Sequence, residues 1–217
     1  MITRPPSIRS VPTPVNSKPG MVLVLSGLSG VGKSTLATRL LEEGPGTARS
    51  ISCTTRAPRG QEVDGVDYHF LTRGEFLQRV RNRGFVEWAV IHGNFYGTPR
   101  DALESSRHEG GTTLIDADVK GGKQIKKQYP EAVLALVVPP SSAVLEQQLR
   151  GRGTDTPEVV ARRLAAASRV IEEGRKFYDY VIVNDDLTQA SRELRDIVTA
   201  EAARRQPEAS DVDETDL

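Results

Sequence analysis

Residues 27–35 read Gly27-Leu28-Ser29-Gly30-Val31-Gly32-Lys33-Ser34-Thr35, and the apolar run Met21 to Leu25 comes just before them. A buried strand that runs into a glycine-rich turn and then a helix is the setting of a phosphate-binding loop. The spacing of Gly27, Gly32, Lys33 and Ser34 fits it, because each residue type does a separate job. Glycines let the successive N–H groups of Ser29, Gly30, Val31 and Gly32 converge on one anion without a Cβ in the way, and the following helix adds its positive end. Lys33 supplies a mobile charge to the β- and γ-phosphates. The Ser34 hydroxyl is placed to ligate Mg²⁺ that arrives with the nucleotide, and Thr35 reaches the α-phosphate side. An ordinary glycine turn is the bland alternative, and the helical pattern Leu36 to Leu41 behind the loop argues against it.

Bulk composition narrows the remaining choices. The chain has 217 residues, enough for one domain with insertions and a proper core. Its 29 basic and 29 acidic side chains cancel, so no global field points to nucleic acid or to an anionic membrane. Phosphate chemistry must therefore rest on local clusters. Cys53 is the single cysteine, which excludes an intrachain disulfide framework and suits a reducing cytoplasm. No apolar stretch approaches the roughly 20 residues of a membrane span, and prolines stand where a signal peptide would be apolar. His69, His92 and His108 lack metal-ligand spacing and are expected to be structural.

Residues 1–20 are proline-rich and residues 206–217 acidic, so both are expected to be disordered tails. Between them strand and helix patterns alternate, which predicts a parallel sheet covered on both faces. Expected strands are Met21 to Leu25, Ala48 to Ser52, Thr112 to Asp116, Ala132 to Val138 and Val181 to Val183. Within an insert between the second and third of these, Val66 to Leu71, Phe85 to Ile91 and Asn94 to Tyr96 read as short strands, and Arg73 to Arg83 as an amphipathic helix. Further helices are expected from Lys33 to Glu42, from Pro99 to about Glu109, up to Gln128, from a Ser142 cap to about Arg150, from Pro157 beyond Ala167, and from Leu187 to Arg205.

A second anion site accounts for residues 50–70, where Ser52, Thr54, Thr55, Arg56, Arg59 and Glu62 crowd around Pro58 and Gly60, with Tyr68 close behind. A stiffened, turned backbone suits presentation of guanidinium forks to a phosphate. A polar surface loop is the alternative, but two phosphate-recognising clusters in one chain favour a transfer between two anionic ligands held in line.

On these residues the chain resembles the guanylate kinase family from 21 to roughly 204. The carrying segments are GLSGVGKST, SISCTTRAPRGQEVDGVDYHF at 50–70, FVEW at 85–88, GNFYGTP at 93–99, LIDADVKG at 114–121, LRGRGTDT at 149–156 and VIVNDD at 181–186. The resemblance implies the α/β fold of P-loop nucleoside monophosphate kinases: a parallel-sheet core (21–51, 101–150, 166–205), a small mixed α/β insert for the acceptor (52–100) and a helical lid (151–165). It implies ATP-dependent phosphorylation of GMP, and of dGMP, by a cytoplasmic monomer or homodimer. Arg56, Arg59, Tyr68 and Tyr96 would hold the acceptor phosphate, with Glu62 and Gly97 in the same pocket. Ser52, Glu87 and Thr98 would read the guanine, whose N1–H and exocyclic amine form a donor pair that adenine lacks.

Asp116 and Asp118 end an apolar strand, where open parallel sheets place their crevice. The resemblance puts them beside the acceptor, with Asp116 in the metal network. Arg152 and Arg163 match arginines that close over the transferring group together with Lys33 and Arg56, and Asn184 with Asp185 falls on the adenine side of ATP. Two departures stand out: Lys120 where relatives often carry glutamine, and Gln148 where an arginine is common. Three rivals remain in view. A ribosyl bisphosphate kinase would not need the guanine-reading set, a non-catalytic binding module tends to lose the phosphate loop, and a GTPase switch would carry an NKxD motif.

Overall fold

The computed structural model describes residues 19–28, 30–44, 46–91, 93–151 and 156–205. Ser29, His92, Arg152 and nearly all of both expected tails lie outside that set. The strands are β1 (Met21–Gly27), β2 (Thr47–Arg49), β3 (Cys53–Thr54), β4 (His69–Phe70), β5 (Phe85–Ile91), β6 (Asn94–Pro99), β7 (Thr112–Asp116), β8 (Val133–Val138) and β9 (Tyr180–Val183). The helices are α1 (Lys33–Glu43), α2 (Arg73–Arg81), α3 (Arg100–Glu109), α4 (Val119–Gln128), α5 (Ser142–Gly151), α6 (Pro157–Arg175) and α7 (Leu187–Arg205).

Five strands form the core sheet in the order β2-β7-β1-β8-β9, and every pair is parallel. Its central strands are buried without alternation because helices cover both faces. Leu23, Leu25, Ala135 and Val137 pack toward α1, α5, α6 and α7. Val22, Val24, Leu134 and Leu136 pack on the other side with Leu103 of α3 and Ile125 of α4. The chain reverses its strand order at β1, so the crevice beyond the carboxyl ends of β1 and β7 is where such a sheet takes its ligand.

The four-stranded sheet β4-β3-β6-β5 lies within the expected insert. Its own small core is Cys53, Phe76, Phe85 and Phe95, with Phe76 of α2 stacked on Phe85 at 4.4 Å. Helix α2 starts on a capping box in which Thr72 accepts from the Glu75 amide and the Glu75 carboxylate accepts from the Thr72 amide at 2.7 Å.

Several expected boundaries move, each for a local reason. Helix α2 stops at Arg81, not Arg83, because Arg83 is left-handed (φ 54°) and Gly84 donates back to the Arg79 carbonyl at 2.8 Å, which completes a Schellman end. Pro99 closes β6 with ψ 133° and precedes α3 instead of opening it. Ser141, one residue ahead of the expected Ser142, caps α5 by accepting from the Val144 amide. The strand expected over Val66 to Leu71 shrinks to His69–Phe70, since the Asp67 carboxylate takes the Val63 amide and the Asp64 carboxylate takes the Phe70 amide, holding a turn. Strand β3 was hidden by its polar composition: Thr54 is fully buried and its hydroxyl donates to the Phe95 carbonyl at 3.0 Å.

Candidate functional site

Strand β1 delivers Gly27 against β8, where a Cβ would meet the Val137 carbonyl oxygen. Gly30 (φ 101°) and Gly32 (φ 82°) take left-handed conformations that side chains resist, so the turn closes only with glycine there. Val31 between them is buried and anchors the loop on the core. Helix α1 begins at Lys33 with no side-chain cap and no acidic residue in its first turn. Its first N–H groups and positive end are therefore left without a side-chain cap or a first-turn carboxylate, which suits them to an anion. Ser34 and Thr35 are exposed on that same turn. The Asn184 amide donates to the Val31 carbonyl at 2.8 Å, so this residue, expected beside adenine, also braces the loop from β9.

Lys33 forms an ion pair with Asp116 at the carboxyl end of β7. The lysine expected on phosphate and the carboxylate expected on metal thus meet at the carboxyl ends of β1 and β7.

Across the crevice, Arg56 is gripped by Glu62 through two parallel bonds of 2.9 Å each. Its Nε donates to the Tyr96 hydroxyl at 3.2 Å, and the guanidinium lies 5.5 Å from the centre of the Tyr68 ring. The Glu62 carboxylate also takes the Arg59 amide at 2.7 Å, and these contacts hold it below the usual carboxylate range. Glu62, expected among the acceptor's ligands, is here the clamp that aims Arg56. Arg59 itself is exposed. Burial, and after it the Asp116 charge, pushes the Tyr68 hydroxyl up, which puts this insert residue within electrostatic reach of the core carboxylate.

Glu87 is turned inward by a β-bulge. In the β5–β6 pairing Phe85 faces Pro99 and Glu87 faces Thr98, so Phe85, Val86 and Glu87 are buried in succession and alternation resumes only at Trp88. Trp88 is 39% exposed and Glu87 only 6%, the reverse of what a core tryptophan beside a surface carboxylate would give. The Thr98 hydroxyl donates to Glu87 Oε1 at 2.8 Å. Burial pushes the Glu87 carboxyl up to about 7, opposed by the Thr98 bond and reinforced by Asp118 and Asp116. Asp118 caps α4 by accepting from the Gly121 amide at 2.6 Å. Ser52 is half-buried beside β3, and its carbonyl accepts from His69. Gly97 serves packing, since a Cβ there would lie 3.0 Å from the Phe85 ring.

Lys33 with Asp116, Glu87 with Thr98, and Arg56 with Tyr68 and Tyr96 thus form three contact sets, and the Asp116 charge acts on both Tyr68 and Glu87. Arg163 lies half-buried on α6, and Arg152 is outside the described residues. Lys120 is exposed, and Arg150 pairs with Glu146 at 2.6 Å on the surface of α5. Among the described residues no group of three or more His, Cys, Asp or Glu converges as a metal cage. Cys53 is buried, which pushes its thiol up to about 11 and makes it inert. Sequence reasoning missed Tyr178 and Ser26: the Tyr178 hydroxyl donates to Ser26 Oγ at 2.7 Å, and Ser26 in turn approaches the Asp118 carbonyl at 3.4 Å. That network fixes the root of the phosphate loop to the start of α4, and no local pattern relates residues 26 and 178.

A parallel core with a glycine-rich loop between β1 and α1, joined to an insert that holds Arg56 between Glu62 and Tyr96, has the architecture of a P-loop nucleoside monophosphate kinase. The guanylate kinase family model matches residues 20–201, and the chain belongs to that family. It is 49% identical over 189 residues to guanylate kinase of Symbiobacterium thermophilum, covering 87% of this chain and 89% of that protein. Guanylate kinase of Myxococcus xanthus is 48% identical over 188 residues, with 87% and 90% covered. The crystal structure of guanylate kinase from Anaplasma phagocytophilum superposes with a TM-score of 0.70 at 35% identity, covering 86% of this chain and 88% of that one.

Proposed function

We propose that the protein transfers the γ-phosphoryl group of ATP to the 5′-phosphate of GMP, giving ADP and GDP. An acceptor phosphate oxygen forms the new bond to γ-phosphorus while the bond to the β–γ bridging oxygen breaks, and no protein nucleophile takes part. The observation that carries this reading is the buried Glu87 carboxylate, held by Thr98 and acted on by the charge of Asp116, the partner of Lys33. A carboxylate there accepts from guanine N1–H and the exocyclic amine, and an adenine in its place would leave it unpaired. Arg56, aimed by Glu62 and flanked by Tyr68 and Tyr96, with Arg59 beside it, grips the acceptor phosphate. None of these contacts needs a 2′-hydroxyl, so dGMP is included.

The loop amides, Ser29 included, and Lys33 hold the donor phosphates. Lys33 leaves Asp116 for them, since a phosphate chain offers more charge than one carboxylate. Exposed Ser34 and the Asp116 carboxylate supply hard oxygen ligands that fit Mg²⁺. When bound, the ion would neutralise charge on the β- and γ-phosphates. Arg152 and Arg163 are assigned to the transferring group, and 151–165 to the lid that carries them over 52–100. One chain supplies both substrate sets, so a monomer or homodimer suffices. Among the described residues no helix is long and apolar enough to cross a membrane. A cytoplasmic location fits the substrates and the lone buried thiol. The test is a coupled assay offering ATP with GMP, dGMP, AMP, UMP and dTMP separately: turnover with GMP and dGMP alone is expected, and none with GMP overturns the reading.

A further inference from the structure

The first turn of α4 carries two adjacent glycines, Gly121 and Gly122, at positions where a helix gains nothing from glycine. Gly121 has no positive φ, so its backbone would accept any side chain. Space is what excludes one. A Cβ on Gly121 would lie 2.7 Å from Glu87 Oε2, 3.1 Å from the Ala117 Cβ and 3.3 Å from Asp118 Oδ1. The nearest atom belongs to the tip of a side chain that Thr98 holds from its other oxygen. Glu87 thus lies between β6 and α4 with one carboxylate oxygen tied and the other against a bare helical turn.

We propose that Gly121 is a specificity-determining position of the acceptor site, because the missing side chain is what lets the Glu87 carboxylate rest against α4 in the orientation that reads guanine. The inference rests on the assignment of Glu87 to the guanine. The turn that carries Gly121 is itself fixed: Asp118 caps it, and the Tyr178–Ser26 pair ties the Asp118 carbonyl to the root of the phosphate loop. The helix cannot retreat from an added methyl without pulling on the loop, whereas the carboxylate tip can swing away from it. An alanine therefore relocates the carboxylate first, and the 3.1 Å approach to the Ala117 Cβ asks for only a few tenths of an ångström more.

Gly121→Ala is compared with the wild type for KM and kcat with GMP, IMP (which lacks the exocyclic amine) and ATP, together with thermal melting. The expected result is a rise of tenfold or more in KM for GMP, a fall of similar size in the preference for GMP over IMP, and a KM for ATP within twofold of wild type. Melting temperature should fall by no more than a few degrees, since the better helix propensity of alanine offsets part of the crowding against Ala117. In a Glu87→Gln background the same alanine should cost no more than twofold further in KM for GMP. An unchanged GMP over IMP preference overturns the proposal, as does a full additional loss in the Glu87→Gln background. Wild type that ignores GMP, or a silent Glu87→Gln change, overturns instead the functional reading on which the proposal rests.

Discussion

Replacing Glu87 by glutamine removes a charge while keeping shape, and the structure gives the size of the effect on both stability and binding. Burial raises this carboxyl from 4.5 to about 7. At about 1.4 kcal/mol per pKa unit, holding it ionised costs up to ~3 kcal/mol of folding free energy. The sign follows from the raised folded value: its contribution is fully present below about pH 4.5 and is lost as pH rises through 7. Glu87→Gln should therefore come closest to wild type at pH 5 and exceed it most above pH 8. For a chain of this size ~3 kcal/mol corresponds to roughly 6–12 °C in Tm. Binding moves the opposite way. Glutamine presents one acceptor and one donor to guanine's two donors, losing at least one charge-assisted bond of about 1.5–3 kcal/mol, so KM for GMP should rise ~10–100-fold. Melting curves from pH 5 to 9 and GMP titrations in a coupled assay read both. A Tm difference that is flat across this range refutes the buried, raised carboxyl, and an unchanged KM refutes its place against the base.

Three other outcomes follow from the geometry. Lys33→Ala should reduce kcat by about 10³-fold or more while calorimetric GMP binding stays close to wild type, because the lysine serves only the donor side. Glu62→Gln should raise KM for GMP about tenfold through the released Arg56, without changing the GMP over IMP preference; loss of that preference would remove Glu62 from its positioning role. Arg83→Gly should raise Tm by about 2–4 °C, since it relieves roughly 1 kcal/mol of left-handed backbone strain at the end of α2. Its activity should not move, and an unchanged or lower Tm would deny the strain.

The chain's order of elements and its donor site are local facts, and local facts are legible in sequence. Gly27 to Thr35 encodes strand, turn and helix start in one segment, because the glycine conformations and helix end that cradle a phosphate are properties of consecutive residues. The uninterrupted apolar runs of β1 and β8 announce strands buried on both faces, which predicts the parallel core. Arg56 and Glu62 sit six residues apart, so their pairing too is close to local.

What only the folded chain decides is how distant segments meet. Alternation along FVEW reads equally as a core tryptophan beside a surface carboxylate. The bulge set by pairing with β6 reverses that, burying Glu87 and exposing Trp88. The ion pair of Lys33 with Asp116, the Tyr178 to Ser26 bond and the contact of Glu87 with Gly121 join residues 34 or more positions apart. Such contacts depend on sheet order and on which strand face points to the cleft, and side-chain packing at that range leaves no periodic trace along the chain.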